Sequence, residues 1–332
     1  MTTGYKLNRR DYLGGSLALA ASAVAMGAAH AQSQAPAAAE PVKEPPLIAP
    51  PDPNTKVPTF KAPPGSIDTH THIFGPQSVY PFAATRPYTA PDAGLPAFAT
   101  LHGKIGVERA VIVNATVHGF DNRVVTDAIA LSGGRYKGIA NVSDTISDRE
   151  LEALEQAGIR GCRYAFLARL GGKPDFSRVK RMADRIKGLK WCIDLYLEPA
   201  LYDDFFPQMR TLAVPYVIDH MGTIKAADGG VDQPAFKKLL DLQRTDEKCW
   251  VKISGPERMS SGAAPFQDAV PFAKKLIETA PDRVIWGSDW PHPNVRLMPN
   301  DGDLIDFVPR CATTAALQRK LLVENPAKLF RF

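Results

Sequence analysis

Eight short runs dense in apolar residues, at 66–74, 109–115, 136–142, 159–165, 190–196, 215–220, 249–254 and 283–288, punctuate the chain. Between them lie amphipathic stretches at 124–131, 148–157, 176–186, 200–212, 234–242 and 266–279. The apolar runs have strand length, and the stretches between them carry the wider spacing of helices with one buried face. Several runs, Ala110-Val111-Ile112-Val113 among them, are apolar at consecutive positions, as strands covered on both faces are. Strands alternating with helices predict parallel βαβ units. Eight of them in residues 65–332 predict a single-domain α/β fold, a closed (β/α)8 or TIM barrel. The alternative is an open doubly wound sheet, but no Gly-rich phosphate loop follows the first strand.

Ahead of this periodic region the pattern changes twice. Asn8-Arg9-Arg10-Asp11-Tyr12-Leu13 precedes an apolar, small-residue run over 14–29 and then Ala29-His30-Ala31. A charged start, an apolar middle and an A-x-A end, with paired arginines, predict a twin-arginine export signal over 1–31 and a periplasmic protein. Residues 32–64 are rich in Pro and Ala and lack periodicity, and read as a linker or extended arm. With the signal removed, the chain is expected to have no membrane segment.

Composition narrows the function by exclusion. Residues 1–31 carry Lys6, Arg9 and Arg10 against Asp11, so the mature chain keeps only +3 of the formal +5. No basic tract interleaved with aromatics appears, which argues against nucleic acid as a partner. Cys162, Cys192, Cys249 and Cys311 are widely spaced, and three fall in expected strands, where a free Cys serves as a small buried apolar group. A disulfide framework is not expected. Nothing in the sequence decides between monomer and dimer.

The polar residues gather where such a barrel carries its chemistry, at the C-terminal ends of strands. His70 and His72 close the first run, two residues apart and so facing one way on a strand. Thr116 and His118 follow the second, Arg163 ends the fourth, Tyr196 the fifth, His220 the sixth and Asp289 the eighth. Attack of water on a carbonyl needs a base and donors aimed at the developing negative charge, and three histidines with one aspartate can supply both. Arginines present planar forks of donors to carboxylates, so Arg163, Arg169 and Arg258 suit a substrate with two negative charges. His118 and His292 read as holding loops, and Trp286 and Trp290 as packing. His102 carries no signal of its own.

The segments Asp68-Thr69-His70-Thr71-His72, Val217-Ile218-Asp219-His220-Met221-Gly222 and Ile285-Trp286-Gly287-Ser288-Asp289-Trp290-Pro291-His292-Pro293 resemble the amidohydrolase superfamily, and within it the 2-pyrone-4,6-dicarboxylate lactonase branch. The resemblance extends through Phe74-Gly75-Pro76, Arg86-Pro87-Tyr88, His118-Gly119-Phe120-Asp121-Asn122 and Glu324-Asn325-Pro326. It implies a hydrolase for carboxylate-bearing lactones that needs no metal. Asp289 would activate water, with His70, His72 and His220 on the lactone carbonyl. Arg163, Arg169, Arg258, Tyr88, Thr116 and Tyr196 would hold acidic groups. The chain departs from the branch at Thr116, where Ser is expected, and at Thr223, where Arg is expected. Relatives that use metals carry a histidine after strand five and a lysine after strand four, where this chain has Tyr196 and Arg163. A zinc ion, if bound, would sit on His70, His72 and Asp289. A metal-dependent hydrolase or decarboxylase, or a non-catalytic dicarboxylate-binding protein, remain the competing readings.

Overall fold

In the computed structural model, residues 44–170 and 174–332 are described, and the expected export signal over 1–31 and the first part of the Pro/Ala-rich segment lie outside them. Eight parallel strands run in sequence order around a nearly closed barrel: β1 (Ile67–Thr71), β2 (Arg109–Val113), β3 (Tyr136–Ala140), β4 (Ile159–Phe166), β5 (Cys192–Leu197), β6 (Tyr216–Ile218), β7 (Cys249–Ile253) and β8 (Val284–Trp286). This arrangement is consistent with a TIM barrel. Helices α1 (Leu95–Ile105), α2 (Arg123–Leu131), α3 (Asp148–Gln156), α4 (Phe176–Ile186), α5 (Tyr202–Met209), α6 (Pro234–Thr245), α7 (Pro256–Met259) and α8 (Val270–Thr279) occupy the crossovers. All eight expected strands are present. Helix α1 was not foreseen, because its sequence LPAFATLHGKI mixes polar and small residues with few large apolar ones.

Strand alternation sorts side chains into two cores. Ala110 and Ile112 on β2, Ile193, Leu195 and Leu197 on β5, and Val251 and Ile253 on β7 face the helices. Their neighbours Val111, Val113, Cys192, Val217, Trp250 and Ile285 point into the barrel, where Phe330 and Leu329 join them. The first and last strands close on each other through Asp289 N to the His70 carbonyl (2.8 Å) and His72 N to the Trp290 carbonyl (2.7 Å). Closure depends on Gly287: a Cβ there would lie 2.6 Å from the His70 Cβ and 2.7 Å from its backbone nitrogen. The β1–β2 register shifts between Asp68 and Thr71. That irregularity lets Ile67 join the apolar interior while His70, three residues on, also reaches inward.

Residues 44–64 lie along the barrel. Ile48 N donates to the Thr89 carbonyl at 3.0 Å and Thr89 N to the Pro46 carbonyl at 2.8 Å. Farther along, Asp306 accepts from Thr59 N (2.8 Å), Thr59 Oγ1 (3.0 Å) and Phe60 N (2.8 Å). Ile48, Phe60 and Ala62 pack on the core. Such contacts explain how a segment without periodicity can still be ordered: its backbone groups and few apolar side chains are satisfied by the barrel, not by each other. All four cysteines are buried and free.

Candidate active site

Asp289 is the point on which the rim converges. It follows β8 in a left-handed backbone conformation (φ +69°), and His220 after β6 does the same (φ +49°). Left-handed backbone costs most residues about 1–2 kcal/mol and Asp rather less, so the fold spends stability to aim these groups. One carboxylate oxygen of Asp289, Oδ1, lies 3.5 Å from His70 Nε2, 3.5 Å from His72 Nε2 and 4.0 Å from His220 Nε2. The other, Oδ2, accepts from Arg258 Nε at 2.8 Å, with Arg258 Nη2 at 2.6 Å. Burial pushes the Asp289 carboxyl up, but the Arg258 guanidinium, with His220, His72 and His70, overcomes it and holds the group well below the usual carboxylate range.

The histidines differ in what fixes them. His72 Nδ1 lies 2.7 Å from the Val113 carbonyl, an acceptor only, so that nitrogen carries the proton and Nε2 faces Asp289. His220 Nδ1 is 2.9 Å from Ser254 Oγ. His70 is enclosed completely, and its Nδ1 lies 3.0 Å from Lys252 Nζ and 3.2 Å from Asp219 Oδ1. Burial first, and then the Lys252 charge, lower the His70 pKa to about 3, so its imidazole is neutral at neutral pH.

His72, Tyr88, Thr116, Arg163, Arg169, Tyr196, His220, Arg258 and Asp289 line one narrow inner cavity, so every predicted site residue except His70 reaches it directly. His70 forms the wall behind. Tyr88 comes from the long segment between β1 and α1, and burial raises its hydroxyl pKa. Thr116 starts the turn after β2. Arg163 spans the interior to Asp219 Oδ2 (3.0 Å) with its guanidinium 5.2 Å from the Tyr196 ring centre. Arg169 reaches the Tyr196 hydroxyl at 3.2 Å. Arg258 sits on the short helix α7, not in an open loop, and pairs with Asp289 instead of standing free. The inner cavity opens on a wider cleft that shares Arg169, Tyr196 and Arg258 and adds Lys225, Asp228 and Arg296.

A buried charged layer under the cavity was missed. Lys252 on β7, fully enclosed, donates to Asp194 Oδ2 (2.8 Å) and Asp219 Oδ1 (2.9 Å). Burial pushes the Lys252 ammonium down, but the two aspartates raise it above its ordinary value. The signal was available: a lysine in Cys249-Trp250-Val251-Lys252-Ile253 and an aspartate in Cys192-Ile193-Asp194-Leu195 interrupt strands apolar on both faces, and a charge there must be paired. Outside the layer, His118 Nε2 meets the Ile73 carbonyl at 3.3 Å, and His292 Nε2 meets Asp301 Oδ1 at 3.2 Å, so both brace loops. His102 is on α1 with Nε2 3.5 Å from Asp68 Oδ2, bracing the first strand from outside.

Among the described residues, ligand atoms close enough to share one cation occur in His70, His220 and Asp289, in His70, Asp194 and Asp219, and in Glu257, Asp289 and His292. The second group already surrounds the Lys252 ammonium.

Comparison with known proteins places these residues in context. The sequence profile of the family described as "Amidohydrolase" matches residues 67–332. The chain is 41% identical over 286 residues to a 2-pyrone-4,6-dicarboxylate hydrolase of Comamonas testosteroni, covering 83% of this chain and 93% of that protein. It is 42% identical over 276 residues to a 4-sulfomuconolactone hydrolase of Rhizobium radiobacter, covering 82% and 92%. A crystal structure of a "probable 2-pyrone-4,6-dicarboxylic acid hydrolase" from Acinetobacter baumannii, with citric acid bound, superposes with a TM-score of 0.72 at 28% identity, over 81% of this chain and all of that one.

Proposed function

The chain belongs to the amidohydrolase family, and on that premise we propose that it hydrolyses a lactone bearing acidic groups, of the 2-pyrone-4,6-dicarboxylate type, by water attack assisted by Asp289. The observation that carries the reading is one carboxylate oxygen of Asp289 set 3.5 Å from two histidine nitrogens in a cavity walled by Arg163, Arg169 and Arg258. Relatives at 41% and 42% identity are named as hydrolases of lactones that carry carboxylate or sulfonate groups, which supports both the reaction class and the anionic substrate.

In this mechanism the substrate's acidic groups bind Arg163, Arg169 and Arg258, with hydroxyls of Tyr88, Thr116 and Tyr196 beside them. The lactone carbonyl oxygen lies against His70 and His220, whose N–H groups meet the negative charge as it develops. Asp289 takes a proton from water while the water oxygen bonds to the carbonyl carbon. His72, with Nε2 3.5 Å from Asp289 Oδ1, flanks the attacking water and holds it beside the base. Collapse of the tetrahedral centre breaks the ring C–O bond, and the proton on Asp289 passes to the leaving oxygen. An acidic group of the substrate drawing Arg258 off Asp289 raises the basicity of Asp289 as the substrate binds.

A required metal fits these residues poorly. A divalent ion on His70, His220 and Asp289 would sit beside two cations already in place, Arg258 on Asp289 Oδ2 and Lys252 on His70 Nδ1, and would be repelled by both. We likewise propose that residues 1–31 direct twin-arginine export to the periplasm, on the paired arginines, apolar run and A-x-A sequence alone; cell fractionation that finds the protein in the cytoplasm would overturn it. The function is tested with a panel of lactones (pyrone dicarboxylate, muconolactones, sugar lactones), each assayed with and without chelator. Turnover of acidic lactones that survives chelation is expected. Loss on chelation with recovery on adding zinc would instead favour the metal-dependent reading.

A further inference from the structure

Lys252 occupies the position of greatest consequence under the site, and its geometry is more specific than charge pairing requires. An ammonium has three donors and no acceptor. Its three partners are Asp194 Oδ2 at 2.8 Å, Asp219 Oδ1 at 2.9 Å and His70 Nδ1 at 3.0 Å. Asp219 is held on its other oxygen by Arg163 Nη2 at 3.0 Å, and its Oδ1, already shared with Lys252, also lies 3.2 Å from His70 Nδ1, so Nδ1 is flanked by one donor and one acceptor and the third ammonium proton decides between them. Lys252, Asp194, Asp219 and His70 are all enclosed, and a donor left without an acceptor there costs about 1–3 kcal/mol.

The contact with His70 therefore fixes a proton. Were Nδ1 protonated, its N–H would face the third N–H of Lys252 across 3.0 Å, and the ammonium would lose an acceptor. With Nδ1 bare, all three ammonium protons are accepted, and the imidazole proton sits on Nε2. That atom is buried, has no hydrogen-bond partner among the described residues, and lies 3.5 Å from Asp289 Oδ1. An unpartnered donor beside the Asp289 carboxylate, in the wall behind the cavity, is one that a carbonyl oxygen drawn against that wall would complete.

We propose that Lys252 is a positioning residue that acts through His70: its ammonium holds the His70 proton on Nε2 and stands as the fixed positive charge behind that donor. The cluster of His70, Asp194 and Asp219, close enough to share a cation, is filled by the chain's own lysine. The place of the carbonyl rests on the lactone reading above, whereas the tautomer does not.

The experiment separates the two. Full-length protein labelled with 15N-histidine is examined by long-range 1H–15N correlation, with His70 identified by the signals lost in His70→Gln. The expected spectrum has His70 protonated at Nε2 and bare at Nδ1; a protonated Nδ1 overturns the proposal, whether or not any lactone is turned over. In Lys252→Met the His70 proton is expected to move to Nδ1, where Asp219 accepts it, and kcat on an acidic lactone to fall on the order of 10²-fold with KM little changed. An unchanged tautomer in that variant also overturns the proposal. If Lys252→Met does not fold, the wild-type spectrum alone decides. Absence of turnover in wild type on the whole lactone panel would count against the lactone reading and leave the tautomer result standing.

Discussion

The lower and upper halves of the barrel interior are built from the same strands and obey opposite rules. Below, Ile67, Val111, Val113, Ile139, Cys192, Val217 and Ile285 fill the space with apolar groups, closed off by Phe330. Two residues farther along the same strands, Cys192 gives way to Asp194, Val217 to Asp219, Trp250 to Lys252 and Ile285 to Gly287. The lower half owes its stability to burial, at about 25 cal/mol per Å² of apolar surface, and any shape that fills it will serve. In the upper half each charge depends on a particular partner at hydrogen-bond distance, and removing one partner strands another. One half is tolerant and stabilising. The other is exacting, and it holds the chemistry.

Variants can test that contrast, beginning with the largest effect. Asp289→Asn keeps a residue that accepts left-handed backbone but removes the base, so kcat/KM on an acidic lactone should fall on the order of 10³-fold, within the usual range for a general base, while circular dichroism shows the fold retained and thermal unfolding moves down because Arg258 loses its partner. Ile285→Ala in the lower half should do the reverse. Urea unfolding is expected to show a loss of about 2–5 kcal/mol, with kcat/KM of the folded protein close to wild type. A large loss of activity in that variant would show that the two halves are coupled.

Arg258→Gln probes the boundary between binding and base strength. Losing a charged donor to the substrate should cost about 1.5 kcal/mol of binding, roughly tenfold in kcat/KM. The sign of the pH effect is fixed by Arg258 holding the Asp289 pKa down. Without it the carboxyl stays protonated to higher pH, so the acid limb of the kcat/KM profile should move upward. An unmoved limb would mean that Asp289 is not the titrating base. The smallest effect is expected outside the barrel. Asp306→Ala removes the acceptor shared by Thr59 and Phe60 and should cost about 1 kcal/mol, seen as faster proteolysis within 44–64 at unchanged activity.

How much was readable beforehand follows the same division. Each strand announced itself, because a strand buried on both faces has to be apolar at nearly every position. The rim residues His70, His72, His220 and Asp289 were readable as well, since strand ends in this architecture point at one place. Arg258 was found but its partner was not: nothing in Pro256-Glu257-Arg258-Met259 says that its guanidinium lies on Asp289 Oδ2, 31 residues away. Lys252 and Asp194 were passed over as strand residues, though a charge inside such a run is itself a signal. Helix α1 was missed because its amphipathic pattern is faint.

By itself the sequence determined the order of elements, the parallel barrel and the set of side chains delivered to its rim, because hydrophobic period and strand-end position are local properties. Only the tertiary structure decided which of those side chains are donors and which are acceptors. His72 is oriented by a carbonyl 41 residues away and His70 by a lysine 182 residues away. The proton on an imidazole goes where its neighbours leave room for it, and those neighbours exist only once the barrel has closed.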